Sequence, residues 1–177
     1  MSDAAMLTAL LYQTGEGAVI GRLAEAARAR GLAVVGMIQK DERRPDRRRC
    51  DMSLVDLATG TEIPISQDRG KDARGCRLDH GALEEAAALA ARSLDAALRP
   101  DLLVLSKFGK REIEGHGFRQ LVERAVELGV PVLVGVGADH VEGFLSFAGD
   151  YGRVVASEAE ALAGISGLEP ASTTSVA

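Results

Sequence analysis

The chain has 177 residues, 46% hydrophobic and 27% charged, the balance of one water-soluble globular domain large enough for a full core. Aromatic residues make up 3%, Trp is absent and the net charge is −5, so neither a stacking platform for single strands nor a global nucleic-acid charge footprint is present, and no nucleic-acid partner is expected. No apolar run reaches the roughly 18 residues that span a bilayer, and the first residues lack a signal peptide's basic start. The expectation is a cytoplasmic protein with no membrane partner, whose Cys50 and Cys76 stay as thiols.

Thr8–Tyr12 reads as a first strand, followed by a Gly-rich turn over Gln13–Gly17. Val19, Ile20, Leu23, Ala26 and Ala27 then recur at helical spacing, and Gly31 ends that helix. Leu32–Ile38 is a second strand, giving a βαβ unit and a parallel pair. A basic run follows (Lys40, Arg43, Arg44, Arg47, Arg48 and Arg49, with Arg69 later), partly neutralised by Asp41, Glu42 and Asp46. Met52–Leu57 and Glu62–Ser66 flank a Thr-Gly turn, which predicts an antiparallel hairpin inserted after the second strand. Gln67–Arg77 is a charged, Gly-containing loop.

Asp79 is an N-cap for an Ala-rich helix running to Leu98, with Leu83, Ala86, Ala87, Ala90 and Leu94 on one face and Pro100 as a stop. Leu102–Leu105 is an unbroken apolar run, as in a strand covered on both faces, and it leads into a polar turn from Ser106 to Glu112. A helix over about residues 117–128, a buried strand over 129–136, a short helix or turn over 139–147, a weak strand at Val154–Val155 and a last helix from Ser157 to Leu162 complete the pattern. A single domain over residues 1–166 and a flexible tail over 167–177 are expected.

In open α/β sheets ligands bind at the carboxyl ends of the strands, so the first turn and the turn after Leu105 belong to one edge. A phosphate loop reads G-x-x-x-x-G-K-S/T. Here Gly15 to Gly21 is one residue too long, with Arg22 at the Lys place and Leu23 at the hydroxyl place. The same glycines also suit a strand-to-helix turn that serves packing alone. At the end of a strand like Leu102–Leu105, an ATPase carries acids that hold Mg2+ and position water; this chain carries Ser106 and Lys107.

The order of elements resembles the small P-loop nucleoside-triphosphatases of thermophiles. More closely, the chain resembles an uncharacterised bacterial domain family derived from that fold. The segments that carry the resemblance are Tyr12–Gly17, Arg49–Met52, Leu57–Gly60, Ile65–Asp68, Gly75–Asp79 and Lys107–Phe118, within Leu7–Gly149. The resemblance implies a three-layer α/β fold, a mainly parallel sheet with an inserted β-hairpin, and a link with molybdenum supply. It implies that Gly109, Lys110 and Glu112 match the hydrolysing relatives, whereas Ser106 and Lys107 stand where those carry an Asp-Glu pair.

Candidate ligand-binding residues are Thr14, Gly15, Glu16, Gly17, Arg22, Arg48, Lys107 and Lys110, with the two lysines bracketing Gly109 and aimed at one anion. Arginine forks such as Arg43 and Arg48 match phosphate or molybdate oxygens, although such a run also serves as a solvated loop. Cys50 and Cys76 each adjoin an Arg that would favour the thiolate; they are the candidate pair for a soft metal, or else inert thiols. Of the three histidines, His116 is the one expected to face the cleft. The function expected is binding of a small anionic ligand, a nucleotide or an oxyanion such as phosphate or molybdate, with weak or absent hydrolysis. The alternatives are a divergent nucleoside-triphosphatase using Glu112 or Asp56 in place of the missing acids, or a regulatory protein that binds a partner.

Overall fold

The apolar runs that lack period-2 alternation become the middle of a seven-stranded sheet in a computed structural model, which describes residues 5–13, 17–43, 50–67, 78–96 and 98–171. The strands are β1 (Leu7–Tyr12), β2 (Val34–Arg43), β3 (Cys50–Asp56), β4 (Glu62–Pro64), β5 (Leu102–Phe108), β6 (Val132–Gly137) and β7 (Gly152–Val155), in the spatial order β4-β3-β2-β5-β6-β1-β7. Strands β2, β5, β6, β1 and β7 run parallel, and β3 and β4 extend the sheet antiparallel beyond β2. The helices are α1 (Ala18–Ala29), α2 (His80–Leu94), α3 (Lys110–Ile113), α4 (Arg119–Glu127), α5 (Val141–Ala148) and α6 (Glu158–Ser166).

Side-chain alternation along the strands sorts the core into two layers. Met37, Leu103, Leu105, Val132, Val134 and Val136 meet Leu83, Ala86 and Ala90 of α2, Leu121 and Val122 of α4 and Phe144 of α5. On the opposite face Leu10, Val34, Leu102, Val104 and Leu133 meet Val19, Ile20, Leu23 and Ala27 of α1 and Ala161 and Ile165 of α6. This is the three-layer α/β arrangement expected, and it leaves the carboxyl ends of β1, β2, β5 and β6 on one edge.

Several elements follow the sequence closely. Asp79 caps α2, its Oδ1 accepting from the Ala82 N–H at 3.0 Å, and Ser157 caps α6 through the Glu160 N–H at 3.2 Å. Others differ. The charged residues from Lys40 to Arg43 are strand, not loop: β2 continues and pairs antiparallel with β3 from Met37↔Asp56 to Arg43↔Cys50. The insertion is therefore a β2–β3–β4 meander, because backbone pairing with β3 outweighs the poor strand preference of a charged run. Helix α2 ends at Leu94, with Asp95 as C-cap, rather than at Leu98. The polar turn after β5 contains the one-turn helix α3, which its polar sequence does not announce. Past α6, Leu168 packs against the α1-side core and the Ala171 N–H donates to Asp101 Oδ1 at 2.7 Å.

Gly36 lets β2 approach β5. Its φ is +135°, and a Cβ built there would lie 1.8 Å from the Val104 carbonyl oxygen. Among the described residues, no helix is long and apolar enough to cross a membrane.

Candidate functional site

Strand β5 stays buried through Ser106 and Phe108, but its pairing shifts register between Leu105 and Phe108. On its other side the ladder to β2 ends at Met37↔Leu105, and the next contact is made by a side chain: the Gln39 N–H donates to Ser106 Oγ at 2.6 Å. The two strands part there. The gap is the floor of a cavity of 1600 Å³ between α1, the ends of β1, β2 and β5, the β3–β4 turn and the residues after β6.

Its wall includes Tyr12, Gly17, Ala18, Arg22, Arg28, Lys40, Asp56, Ser106, Lys107, Asp139 and His140. Lys107 is exposed and forms no ion pair with any described residue. The arginines and the other lysine on the wall have partners. Arg22 makes a two-pronged pair with Glu158 of α6, at 3.2 and 3.0 Å. Arg28 pairs with Glu25 at 3.4 Å and donates to the Leu57 carbonyl, and Lys40 lies 3.4 Å from Glu62. Glu158 is held below the ordinary carboxylate range, first by the Arg22 hydrogen bond and then by its charge. Glu62 is lowered first by the Ser53 hydroxyl and next by Lys40. Burial pushes the Tyr12 phenol up.

The candidate residues divide accordingly. Gly17, Arg22 and Lys107 come together on the cavity wall. Lys110 does not: as the first residue of α3 it pairs with Glu114 at 3.8 Å and lies off the wall. Thr14, Gly15, Glu16, Arg48 and Cys76 lie outside the described residues, and the side chains of Arg43 and Cys50 do too. Among the described residues, no group of three or more His, Cys, Asp or Glu is placed to hold a metal ion. The histidine on the wall is His140, not His116. A 3-10 turn over Ala138–His140 folds back across the edge, whereas His116 follows α3 and its N–H donates to the Arg111 carbonyl.

Arg22 does not occupy the phosphate-loop Lys place. Helix α1 begins at Ala18 with Gly17 as N-cap, so Gly21 and Arg22 fall one turn inside the helix. Counted from Gly17 as the second glycine of the pattern, Ala18 and Val19 take the Lys and Ser/Thr positions.

Glu112 and Asp56 both have structural partners. Glu112 is 7% exposed; its Oε2 accepts from the Gly109 N–H at 2.9 Å and its Oε1 from the Phe118 N–H at 3.2 Å. It pins both ends of the α3 turn and is not on the wall. A Cβ on Gly117, whose φ is +60°, would lie 2.3 Å from Glu112 Oε1, so the Gly-His-Gly turn wraps that carboxylate. Asp56 is fully buried, and its Oδ2 accepts from the Thr59 N–H and hydroxyl at 2.9 and 2.7 Å. That carboxylate closes the β3–β4 turn, while its Oδ1 is buried without a hydrogen-bond partner.

A family model described as "Protein of unknown function (DUF2478)" matches residues 7–164. The chain belongs to the DUF2478 family. It is also similar to the molybdenum import ATP-binding protein ModC 2 of Bradyrhizobium diazoefficiens, 33% identical over 132 residues. That stretch is 75% of this chain but 14% of the relative. The nucleoside-triphosphatase THEP1 of Methanosarcina barkeri is 29% identical over 119 residues, 67% of this chain and 68% of that one. The crystal structure of THEP1 from Aquifex aeolicus superposes with a TM-score of 0.56 at 16% identity, covering 85% of this chain and 87% of that one. The fold of this DUF2478 chain is thus that of the P-loop nucleoside-triphosphatases.

Wall residues not singled out in the sequence include Tyr12, Arg28, Asp139 and His140. A signal existed for Tyr12: the glycines in the buried strand VLVGVG mark close approach of another group.

Proposed function

We propose that this DUF2478 chain is a cytoplasmic protein that binds a nucleotide or another oxyanion-bearing small molecule in the cavity at the carboxyl edge, with feeble hydrolysis or none. The observation that carries this reading is Lys107, a cation without an ion pair among the described residues, at the end of a buried central strand and on the wall of the cavity. Ligands in open α/β sheets sit at that edge. Similarity to nucleoside-triphosphatases supports a nucleotide as the ligand. The name of the Bradyrhizobium relative makes molybdate a second anion to test.

The weak-hydrolysis part rests on donor chemistry. Mg2+ takes oxygen ligands, and phosphoryl transfer needs a group that positions water. Ala18 and Val19 in the first turn of α1 offer no side-chain oxygen. At the end of β5, Ser106 Oγ is engaged by the Gln39 N–H and the next side chain is an ammonium. Neither of these two places supplies a carboxylate for Mg2+. Equilibrium dialysis of ATP, paired with phosphate release, tests both halves. Binding with turnover far below about 1 per second is expected. Turnover at or above that rate with Mg2+ overturns the second half, and absence of binding by ATP, phosphate and molybdate alike overturns the first.

A further inference from the structure

A surface lysine ordinarily rotates freely about its four-carbon stem, and it loses that freedom when it binds. Lys107 is exposed, yet the backbone is fixed on both sides of it. Before it, Ser106 Oγ holds the Gln39 N–H at 2.6 Å. After it, Phe108 is 1% exposed, meeting Phe144 edge-on and Phe147 face to face at 5.4 and 5.2 Å between ring centroids.

The stem itself lies against Gly109. That glycine is buried, and a Cβ built on it would lie 3.2 Å from Lys107 Cε and 3.8 Å from Lys107 Cγ. Its φ of −138° and ψ of −157° are extended backbone open to any residue, so what glycine supplies at 109 is room. The lysine stem takes that room. Glu112 Oε2 lies 3.9 Å from the same point and accepts the Gly109 N–H at 2.9 Å, so the carboxylate fixes the glycine under the stem. The turn is anchored further on: Ile113 seats on Gly143 of α5, where a Cβ would lie 2.4 Å from Ile113 Cδ1.

We infer that Gly109 is a positioning residue of the anion site: lacking a side chain, it gives the Lys107 stem a floor fixed by Glu112, and so sets where the ammonium stands. This rests on the anion-binding reading above and deepens it, because neither Gly109 nor Glu112 lies on the cavity wall. A stem settled in advance loses less freedom when an anion binds, and affinity rises accordingly. Glu112 acts through Gly109 without touching the anion. An Ala at 109 would press one methyl group on the far end of a flexible side chain, so the stem yields and the fold does not.

The test titrates inorganic phosphate and molybdate by calorimetry, at fixed ionic strength, into native protein and Gly109→Ala, and records the melting of both without anion. Gly109→Ala is expected to melt within a few degrees of native and to bind about three- to tenfold more weakly, the scale of one lysine stem set free. A second readout follows the stem directly. The chain has four lysines, so 13C-methylated lysine signals can be assigned by Lys107→Arg. The Lys107 signal should shift and sharpen in Gly109→Ala while that of Lys40 stays in place. An unmoved Lys107 signal overturns the inference, as does a Gly109→Ala that binds phosphate as native does or that no longer folds. Failure of native protein to bind either anion refutes the anion-binding reading, whereas native binding with an indifferent Gly109→Ala refutes this inference alone.

Discussion

Replacing Glu112 separates a structural carboxylate from a chemical one. Its two oxygens accept from two backbone N–H groups, those of Gly109 and Phe118, in a place 7% exposed. Hydrogen bonds to charged groups contribute about 1.5–3 kcal/mol each, and a buried donor left without a partner costs about 1–3 kcal/mol. Glu112→Ala orphans both donors, so a loss of about 3–5 kcal/mol is expected, a large share of the roughly 5–15 kcal/mol that holds a domain folded. Glu112→Gln keeps one acceptor oxygen and turns an NH2 toward the other N–H. About half the loss follows. The assay is urea unfolding followed by circular dichroism, with the slope checked for constancy across variants. The order native, Gln, Ala is expected. Both variants within about 0.5 kcal/mol of native would refute the reasoning, since that is the range of surface substitutions. A catalytic Glu112 would instead leave stability alone and abolish turnover.

Two further substitutions probe the β2–β5 register and the Arg22–Glu158 pair. Gly36→Ala puts a methyl group 1.8 Å from the Val104 carbonyl at a φ of +135°, so it should abolish the cooperative thermal transition; a variant melting within a few degrees of native contradicts the β2–β5 register. Glu158→Gln removes the Arg22 pair. Because the folded Glu158 is lowered, its contribution is present above the ordinary carboxylate pKa of about 4.3 and lost as pH falls through the folded value. Both partners are exposed, so the native-minus-variant difference in melting temperature should be small at pH 7 and vanish in acid; a difference that grows below pH 4 would contradict the pair.

The parallel core was legible because buried strands such as Leu102–Leu105 and Val132–Val136 are apolar without alternation, and because Asp79 and Ser157 cap helices by local chemistry. Lys40–Arg43 does not announce itself as strand, because its strand is dictated by pairing with Cys50–Ser53, a partner that a charge run does not reveal. The carboxyl edge was legible from the end of β5, where the structure puts Lys107 on the wall of a cavity. Lys110 and Glu112 looked like site residues because they flank the same turn, yet one helical turn sends Lys110 to Glu114 and folds Glu112 onto the backbone. The start of α1 at Ala18 depends on where the chain leaves Gly17, and glycine spacing alone did not locate it.

Melting temperature against anion concentration, for native protein and Lys107→Ala at fixed ionic strength, tests the central claim most directly. Ligand linkage should raise the native melting temperature with nucleotide, phosphate or molybdate. Lys107→Ala should start from nearly the native value, because an exposed lysine contributes little to stability, and should not rise. A flat native response, or a variant that rises as the native does, would contradict an anion site built on Lys107.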